Sequence, residues 1–163
     1  MAMAKPAGTG KVEKISLDAA ASHLLEECRM VLPGIQALFG FQLIAVFNQG
    51  FGEKLSHGQQ LLHLVALMLT ALAMGLVMTP AALHRQAEPQ AVSERFVWLA
   101  SNMVLAGMIP LALGVGLDAY VVASIITKSE GAAAGVGIAL FAVLASLWFL
   151  LPRRELRRHG TRL

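Results

Sequence analysis

A histidine and an aspartate within apolar sequence are the residues of this chain best suited to chemistry. His63 lies near the start of the second apolar run, and Asp118 lies within the third. A histidine beside a carboxylate titrates near physiological pH and can transfer protons. Because an ionisable side chain in hydrocarbon costs about 2.5 kcal/mol or more, each of the two needs a partner or a function. The pair therefore indicates a proton-binding site, provided that the fold brings the two residues together.

Amide side chains in the same apolar runs extend this candidate site. Gln42 and Asn48, near the end of the first run, should lie on the same side of a membrane as His63 and Asp118. With the polar residues deeper in the runs, they predict an ion or proton pathway with these lining groups: Gln36, Gln42, His63, Asn102 and Asp118. The alternative is that Asp118 marks the outer boundary of its span and that His63 is only interfacial.

A second group of polar residues is predicted at the cytoplasmic ends of the first three runs. Its members are Glu26, Glu27, Arg29, His84, Arg85 and Arg95. Two acids and three arginines can balance one another in a network of ion pairs that holds three helices together. The same residues would suit the cytoplasmic mouth of an ion pathway, so both interpretations stay open.

The composition places these groups in a membrane protein. Of the 163 residues, 56% are hydrophobic and 14% are charged, against roughly 25% charged residues in an ordinary soluble domain. Such a chain is too apolar for a soluble enzyme or for intrinsic disorder. A helix needs about 20 apolar residues to cross a bilayer. Four apolar runs meet this need and predict spans at about 30–48, 60–83, 96–127 and 132–151.

The third predicted span is too long to cross a bilayer upright. About 32 helical residues extend roughly 48 Å, whereas the hydrocarbon core is about 30 Å thick. Pro110 lies in its middle, among glycines, and removes a backbone donor. We therefore expect a tilt or a bend at this point.

The positive residues predict the orientation. Eleven Lys and Arg residues lie in the two terminal segments and between spans two and three, whereas only Lys54 and Lys128 lie in the other two loops. Because Lys and Arg stay on the cytoplasmic side, both termini should be cytoplasmic. These residues flank the apolar runs and form no continuous basic face, so the net charge of +3 does not indicate nucleic-acid binding.

The ends of the chain are predicted to be tails around a single membrane domain. Residues 1–15 should form a flexible cytoplasmic tail, residues 16–152 the domain, and residues 153–163 a basic tail. The domain should open with a short helix at the cytoplasmic interface, capped by Ser16 with Asp18 in its first turn, because apolar residues recur there at three- and four-residue steps. Pro33 and Gly34 should then start or kink the first span.

Small residues recur along the fourth span at three- or four-residue steps. They are Gly131, Gly135, Ala139, Ala142 and Ser146. Helices in lipid associate through close packing of such residues, and Gly131 with Gly135 forms a GxxxG motif. We expect this stripe to pack against another helix, either within the bundle or in a second copy.

Three motifs follow one another along the chain: ECRMVLPGIQALFGF at 27–41, PAALHR at 80–85, and RF at 95–96. In these motifs the chain resembles a family of small bacterial four-span membrane proteins of unknown function. The resemblance covers about residues 24–151, and its most specific part is a charged pair followed by LPG and Gln, at 27–36. It implies a four-span fold in the bacterial inner membrane. Some members of that family carry the label "sodium:proton antiporter".

No other constellation points to catalysis or to a bound cofactor. A single cysteine, Cys28, cannot form an intramolecular disulfide or a multi-cysteine metal cluster. His57 and His63, six residues apart, do not share a helix face, so no metal site is expected. The chain has no nucleophilic-serine motif and no phosphate-binding loop. We therefore expect neither an enzyme nor a cofactor.

The sequence thus predicts an all-α protein, an integral membrane four-helix bundle with a short N-terminal interfacial helix and both termini cytoplasmic. Because four short helices enclose few polar groups, an ion or proton pathway, whether a channel or a proton-linked transporter, is easier to build in a homo-oligomer. Its partners would be the lipid bilayer, further copies of the chain, and a monovalent cation or proton. The competing hypothesis is a non-conducting structural or regulatory membrane protein in which the same polar residues only hold the helices together.

Overall fold

A computed structural model describes residues 15–88 and 91–154 of the chain. Its helices, in chain order, are α1 (Leu17–Val46), α2 (Gly50–Lys54), α3 (His57–Ala87), α4 (Glu94–Thr127) and α5 (Glu130–Ala145). α5 continues through a π-helical turn at Ser146–Leu150 and ends at Arg154. The predicted tails, 1–15 and 153–163, lie outside the described residues apart from Ile15, Arg153 and Arg154.

Four helices of the described chain are long and apolar enough to cross a membrane: α1, α3, α4, and α5 with its extension. The predicted spans 60–83, 96–127 and 132–151 lie inside α3, α4 and extended α5, and the span 30–48 lies in α1 except for its last two residues. A helix satisfies its own backbone donors and acceptors, which lipid cannot do. The prediction of an all-α chain with four long apolar helices is confirmed for these residues, and the chain is a multi-pass membrane protein by this criterion.

α1 joins two elements that the sequence predicts as separate. Its first turn is as predicted, since the side chain of Ser16 accepts a hydrogen bond from the backbone N–H of Ala19 at 3.2 Å and Asp18 follows the cap. The helix then continues through Pro33 to Val46, so in the described residues the predicted interfacial segment and the first span form one helix. Proline removes one backbone hydrogen bond, and the flanking turns keep theirs. The 30 residues extend about 45 Å, which exceeds the thickness of a hydrocarbon core.

α4 is the central helix of the bundle. It packs against α3 on one side and α5 on the other, and it continues through Pro110 without interruption. α1 packs against α3 and, more lightly, against α4. The buried side of α3 repeats at three- and four-residue steps: His63, Ala66, Thr70, Ala73, Val77 and Pro80. Half of these residues, Ala66, Thr70 and Ala73, are small, which allows the close helix approach that stabilises bundles in lipid.

Glycines of α4 and α5 form the closest backbone contacts. A Cβ atom on Gly114 would lie 3.1 Å from both the carbonyl oxygen of Ala66 and Oγ1 of Thr70. On the other side of α4, Gly116 faces Gly137 of α5. A Cβ atom on Gly137 would lie 2.8 Å from the carbonyl oxygen of Gly116, closer than real Cβ contacts come. The interface of α4 with α5 therefore has no room for a side chain at Gly137, and a side chain at Gly114 would require its neighbours on α3 to shift by a few tenths of an ångström.

The stripe of small residues predicted on α5 does not pack within the described bundle. The predicted stripe is exposed on the chain surface: Gly131, Gly135, Ala139, Ala142 and Ser146. The buried residues are Ala133 and Gly137, which lie two positions further along and therefore about 200° around the helix. The stripe with Ala133 and Gly137 packs because Gly116 and Tyr120 of α4 lie against Gly137.

The link between α3 and α4 is closed by hydrogen bonds to one serine. Ser93 caps α4 by accepting from the backbone N–H of Phe96 at 3.1 Å. The carboxylate of Glu88 accepts from the backbone N–H of Ser93 at 2.7 Å and from its hydroxyl at 2.6 Å. These bonds from the Ser93 side chain and backbone favour the charged form and hold the pKa of Glu88 below its usual value.

The link between α4 and α5 consists of two residues, Lys128 and Ser129. Lys128 has left-handed backbone angles, with φ of 51°, and its N–H still bonds to the carbonyl of Ser124. Ser129 caps α5 by accepting from the N–H of Ala132 at 3.4 Å. The two helices therefore form a tight antiparallel hairpin.

We expect Gly137→Ala to lower the free energy of unfolding by about 1–3 kcal/mol, because the added methyl group has to push α4 and α5 apart. Gly135→Ala is the matched control, since no atom lies within 4 Å of the corresponding Cβ position. Unfolding by sodium dodecyl sulfate in mixed micelles, followed by circular dichroism, measures both. Equal effects of the two substitutions would contradict the packing face described above.

We expect Glu88→Gln to lower the melting temperature at neutral pH, because an amide oxygen accepts more weakly than a carboxylate. The folded-state pKa of Glu88 is lowered, so its stabilisation is complete above the ordinary glutamate pKa and is lost as the pH falls through the lowered value. The difference from the wild type should therefore disappear in acid. Glu53→Gln, an exposed position in α2, is the control. A difference that stays constant with pH would refute this role for Glu88.

Candidate functional site

The start of α3 is tied to α4 by its N-terminal cap. The side chain of Ser56 accepts from the N–H of Gln59 at 3.3 Å, and Oε1 of Gln59 accepts from the N–H of Ser56 at 2.9 Å, which is a capping box. Nε2 of Gln59 also donates to Oγ of Ser124 on α4 at 2.9 Å. This contact fixes the depth at which the next turn of α3, with His63, faces α4.

His63 lies between α1 and α4 and contacts an oxygen on each. Its Nδ1 is 3.0 Å from Oδ1 of Asp118 on α4, and its Nε2 is 3.0 Å from the backbone oxygen of Gln42 on α1. The side chains of His63 and Asp118 are 9% and 19% exposed. The two residues that the sequence predicts as neighbours thus form the one contact within 4.0 Å between a basic and an acidic side chain among the described residues. Below, His63, Asp118 and Gln42 together are called the His63 site.

Both ring nitrogens of His63 face hydrogen-bond acceptors, which determines how many protons the site holds. A neutral imidazole carries one N–H, so one of its nitrogens would face an oxygen lone pair. Two arrangements avoid this: a doubly protonated His63 beside an ionised Asp118, or a neutral His63 that accepts from a protonated Asp118. In both, Nε2–H donates to Gln42 and one further proton lies between Nδ1 and the carboxyl group. A histidine–carboxylate contact of this kind can hold a proton between the two side chains.

Gln42 completes the site and leaves one polar atom without a partner. Its Nε2 donates to Oδ2 of Asp118, while its backbone oxygen accepts from His63. Gln42 is 3% exposed, and its Oε1 is buried with no hydrogen-bond partner among the described residues. An orphaned acceptor of this kind is a place where a water molecule or another donor would bind.

A cleft of about 450 Å³ opens beside the His63 site at the end of the bundle that holds α2. We call it the α2 cleft, and this end the α2 end. Its polar lining comprises Gln42, His63, Asp118, Asn48 and Lys54, and the remainder is mainly aliphatic and aromatic. The ring of Phe51, from α2, meets that of His63 edge to face with centroids 5.3 Å apart. The cleft gives the site a route to the protein surface.

The two other predicted lining residues lie away from this site. Gln36 is exposed on the outside of α1. Asn102 is half-buried on α4, and its Nδ2 donates to the carbonyl oxygen of Trp98 in the same helix at 2.8 Å. The structure therefore brings Gln42, His63 and Asp118 together and leaves Gln36 and Asn102 elsewhere.

The charged residues at the opposite end, called the α3–α4 end after its link, do not form the predicted ion-pair network. Five of them are exposed: Glu26, Glu27, Arg29, Arg85 and Arg95. Within the described residues, none of these five pairs with another at 4.0 Å or less. α1 turns Ala21, Leu24 and Cys28 toward the bundle, which directs its charged residues outward. His84, the sixth member, packs against the ring of Phe96, with centroids 5.5 Å apart.

Several contacts of the site were not predictable from the residues alone. The backbone oxygen of Gln42 carries no sequence signal, and Phe51 and Gln59 lie in or next to a loop without periodicity. The Gln-x-x-x-His spacing of Gln59 and His63 does place both on one face of a helix. Across residues 15–88 and 91–154, no group of three His, Cys, Asp or Glu side chains is arranged to hold a metal ion. The chemistry that this arrangement supports is proton binding and transfer.

One protein-family model matches the chain. It is described as a family of unknown function (DUF6328), and the match covers residues 12–152. No curated protein and no solved structure matches. The matched segment contains the His63 site and most of the bundle, so the geometry of the site is the main guide to function.

We expect Gln42→Leu to lower the free energy of unfolding by about 1–2 kcal/mol, because it removes a buried hydrogen bond to a carboxylate. Gln36→Leu on the same helix is the matched control, since Gln36 is exposed and makes no hydrogen bond among the described residues. Detergent-micelle unfolding followed by circular dichroism compares the two. A larger loss for Gln36→Leu would show that the contact between Gln42 and Asp118 does not stabilise the bundle.

Proposed function

Since the chain belongs to the family of unknown function DUF6328, we propose a function from the His63 site itself: the protein is a proton-linked membrane protein in which His63 and Asp118 bind the proton. It forms an ion or proton pathway, as a channel or a proton-linked transporter, in the bacterial inner membrane. The α2 end faces outward, and the α3–α4 end, with its arginines, faces the cytoplasm. A monovalent cation is the alternative cargo.

One observation carries this proposal: a buried histidine whose two nitrogens both face oxygen acceptors on other helices. Loss of the shared proton leaves a ring nitrogen and an oxygen lone pair in contact, which is unfavourable in an apolar interior. The helices have to shift to relieve this contact. Proton occupancy is therefore coupled to the positions of α1 and α4 relative to α3, as proton-linked transport requires.

The α2 cleft supports proton access from one side. Asp118 is partly exposed and lines the cleft, so water can reach the carboxyl group without opening the bundle. Lys54 also lines the cleft and gives its polar part a positive charge. The unpaired Oε1 of Gln42 provides an acceptor for an entering water molecule or hydronium.

A complete pathway is best built from more than one copy of the chain. Between the His63 site and the α3–α4 end, the hydroxyl of Thr70 donates to its own helix, and the other buried residues of α1 and α3 include Ile35, Ala66, Ala73, Val77 and Pro80. A homo-oligomer would place additional polar groups along a shared path. Exposed Gln36 and the exposed small-residue stripe of α5, from Gly131 to Ser146, are available for such contacts.

The competing function is a non-conducting structural membrane protein. It is favoured by the way in which Gln42, His63 and Asp118 bond to one another across three helices of one chain. In this case the polar residues hold the helices together and the proton does not move. Measuring proton flux distinguishes the two functions directly.

We expect liposomes that contain the protein to acidify under an imposed pH gradient faster than empty liposomes. Asp118→Asn and His63→Gln keep the size and hydrogen-bonding capacity of each side chain but cannot titrate in this range, so each should reduce the flux about tenfold or more. Thr79→Val is the control, because the Thr79 hydroxyl bonds only to the Gly75 carbonyl of its own helix. A pH-sensitive dye inside the vesicles measures the rates.

Circular dichroism of each variant separates a loss of flux from a loss of folding. The mass of the detergent-solubilised complex, determined by light scattering, tests the homo-oligomer. Wild-type flux equal to that of empty vesicles would rule out the proton pathway and leave the structural function. Full flux in folded Asp118→Asn would show that protons pass elsewhere.

A further inference from the structure

A second cleft, of about 680 Å³, lies between α1 and α3 at the α3–α4 end. Arg29 on α1 and Arg85 and His84 on α3 line it, together with aliphatic residues that include Leu32 and Met78. We call it the arginine cleft. It is separate from the His63 site, and nothing proposed above uses it.

Every charged or titratable side chain that lines the arginine cleft, apart from the thiol of Cys28, is basic. Glu26 and Glu27 are close in sequence but do not line the cleft, and neither arginine forms an ion pair within the part of the chain that is described. His84 adds an unsatisfied group, because its Nδ1 is buried without a hydrogen-bond partner in the described residues. The cleft thus has an excess of positive charge that a bound anion would balance.

The rest of the cleft is an apolar groove that extends away from the arginines along α3. Gly75 and Arg85 both line it, ten residues or about 15 Å apart on the helix. No atom lies within 4 Å of the Cβ position of Gly75, so the groove is open there. Its polarity therefore changes from basic at the end of the bundle to apolar toward the middle, in the same direction as that of a phospholipid in a bilayer.

We propose that the arginine cleft binds one anionic phospholipid, with the phosphate at Arg29 and Arg85 and an acyl chain along the groove past Gly75. A phosphate group matches the guanidinium donors in geometry and charge. Basic pockets between membrane helices bind anionic head groups for this reason. The proposal is independent of proton transport, because it involves other residues at the other end of the bundle.

Binding of lipid to the full-length chain in delipidated detergent, measured by native mass spectrometry, tests the proposal. Dioleoyl phosphatidylglycerol should bind at least about tenfold more tightly than dioleoyl phosphatidylcholine, which has the same acyl chains and no net charge. The double variant Arg29→Gln with Arg85→Gln should weaken phosphatidylglycerol binding about 25-fold, the product of about fivefold for each arginine. Arg95→Gln is the matched control, because Arg95 is exposed at the same end but does not line the cleft.

A second pair of variants tests the acyl groove without changing charge. Gly75→Leu fills the groove and should weaken phosphatidylglycerol binding about threefold or more. Gly135→Leu is its control, since Gly135 is equally open but lies on α5. Equal affinity for the two lipids would overturn the proposal. So would inorganic phosphate that binds as tightly as the lipid, or an equal effect of Gly75→Leu and Gly135→Leu.

Discussion

The structure depends on the fact that lipid offers no hydrogen-bond partner to a polar side chain. Most polar residues in the helices meet this constraint locally, as Thr70, Thr79 and Asn102 do by donating to carbonyl groups of their own helix. Such residues need no hydrogen-bond partner on a neighbouring helix. His63 and Asp118 cannot be satisfied in this way, because a charge or a second N–H needs a partner from another helix. They therefore determine how α1, α3 and α4 are arranged at the α2 end.

The remaining stability comes from close backbone contact around α4. Gly114 allows α3 to approach from one side, and Gly116 with Gly137 allows α5 to approach from the other. Apolar side chains gain little by leaving lipid for the protein, so close approach and the dispersion contacts that it permits replace the hydrophobic effect of soluble proteins. α1 has fewer such contacts, so its position depends more on the polar contacts of Gln42. Close packing thus stabilises the contacts of α4 with α3 and α5, whereas the His63 site stabilises the position of α1.

The sequence predicts the elements of the fold well because their signals are local. Long apolar runs, the Ser16 cap and the absence of strand patterns need no knowledge of neighbouring helices. The proximity of His63 and Asp118 was also predictable, since topology and residue counting place both near one end of the bundle. The packing face of α5 was not predictable from the sequence. α5 has two stripes of small residues, and the surface of α4 selects the stripe that contains Gly137. The predicted ion-pair network is not found among the described residues, because α1 packs with Ala21, Leu24 and Cys28 toward the bundle and leaves its charged residues exposed.

The two-residue link between α4 and α5 has a consequence for how the chain enters a bilayer during synthesis. Lys128 and Ser129 form a very short link. Neither helix can therefore cross the bilayer while the other stays in water far from it. Gly116 and Gly137 face each other across this hairpin, so their contact forms without the closure of a long separate loop. The two helices can therefore enter the bilayer together as one hairpin.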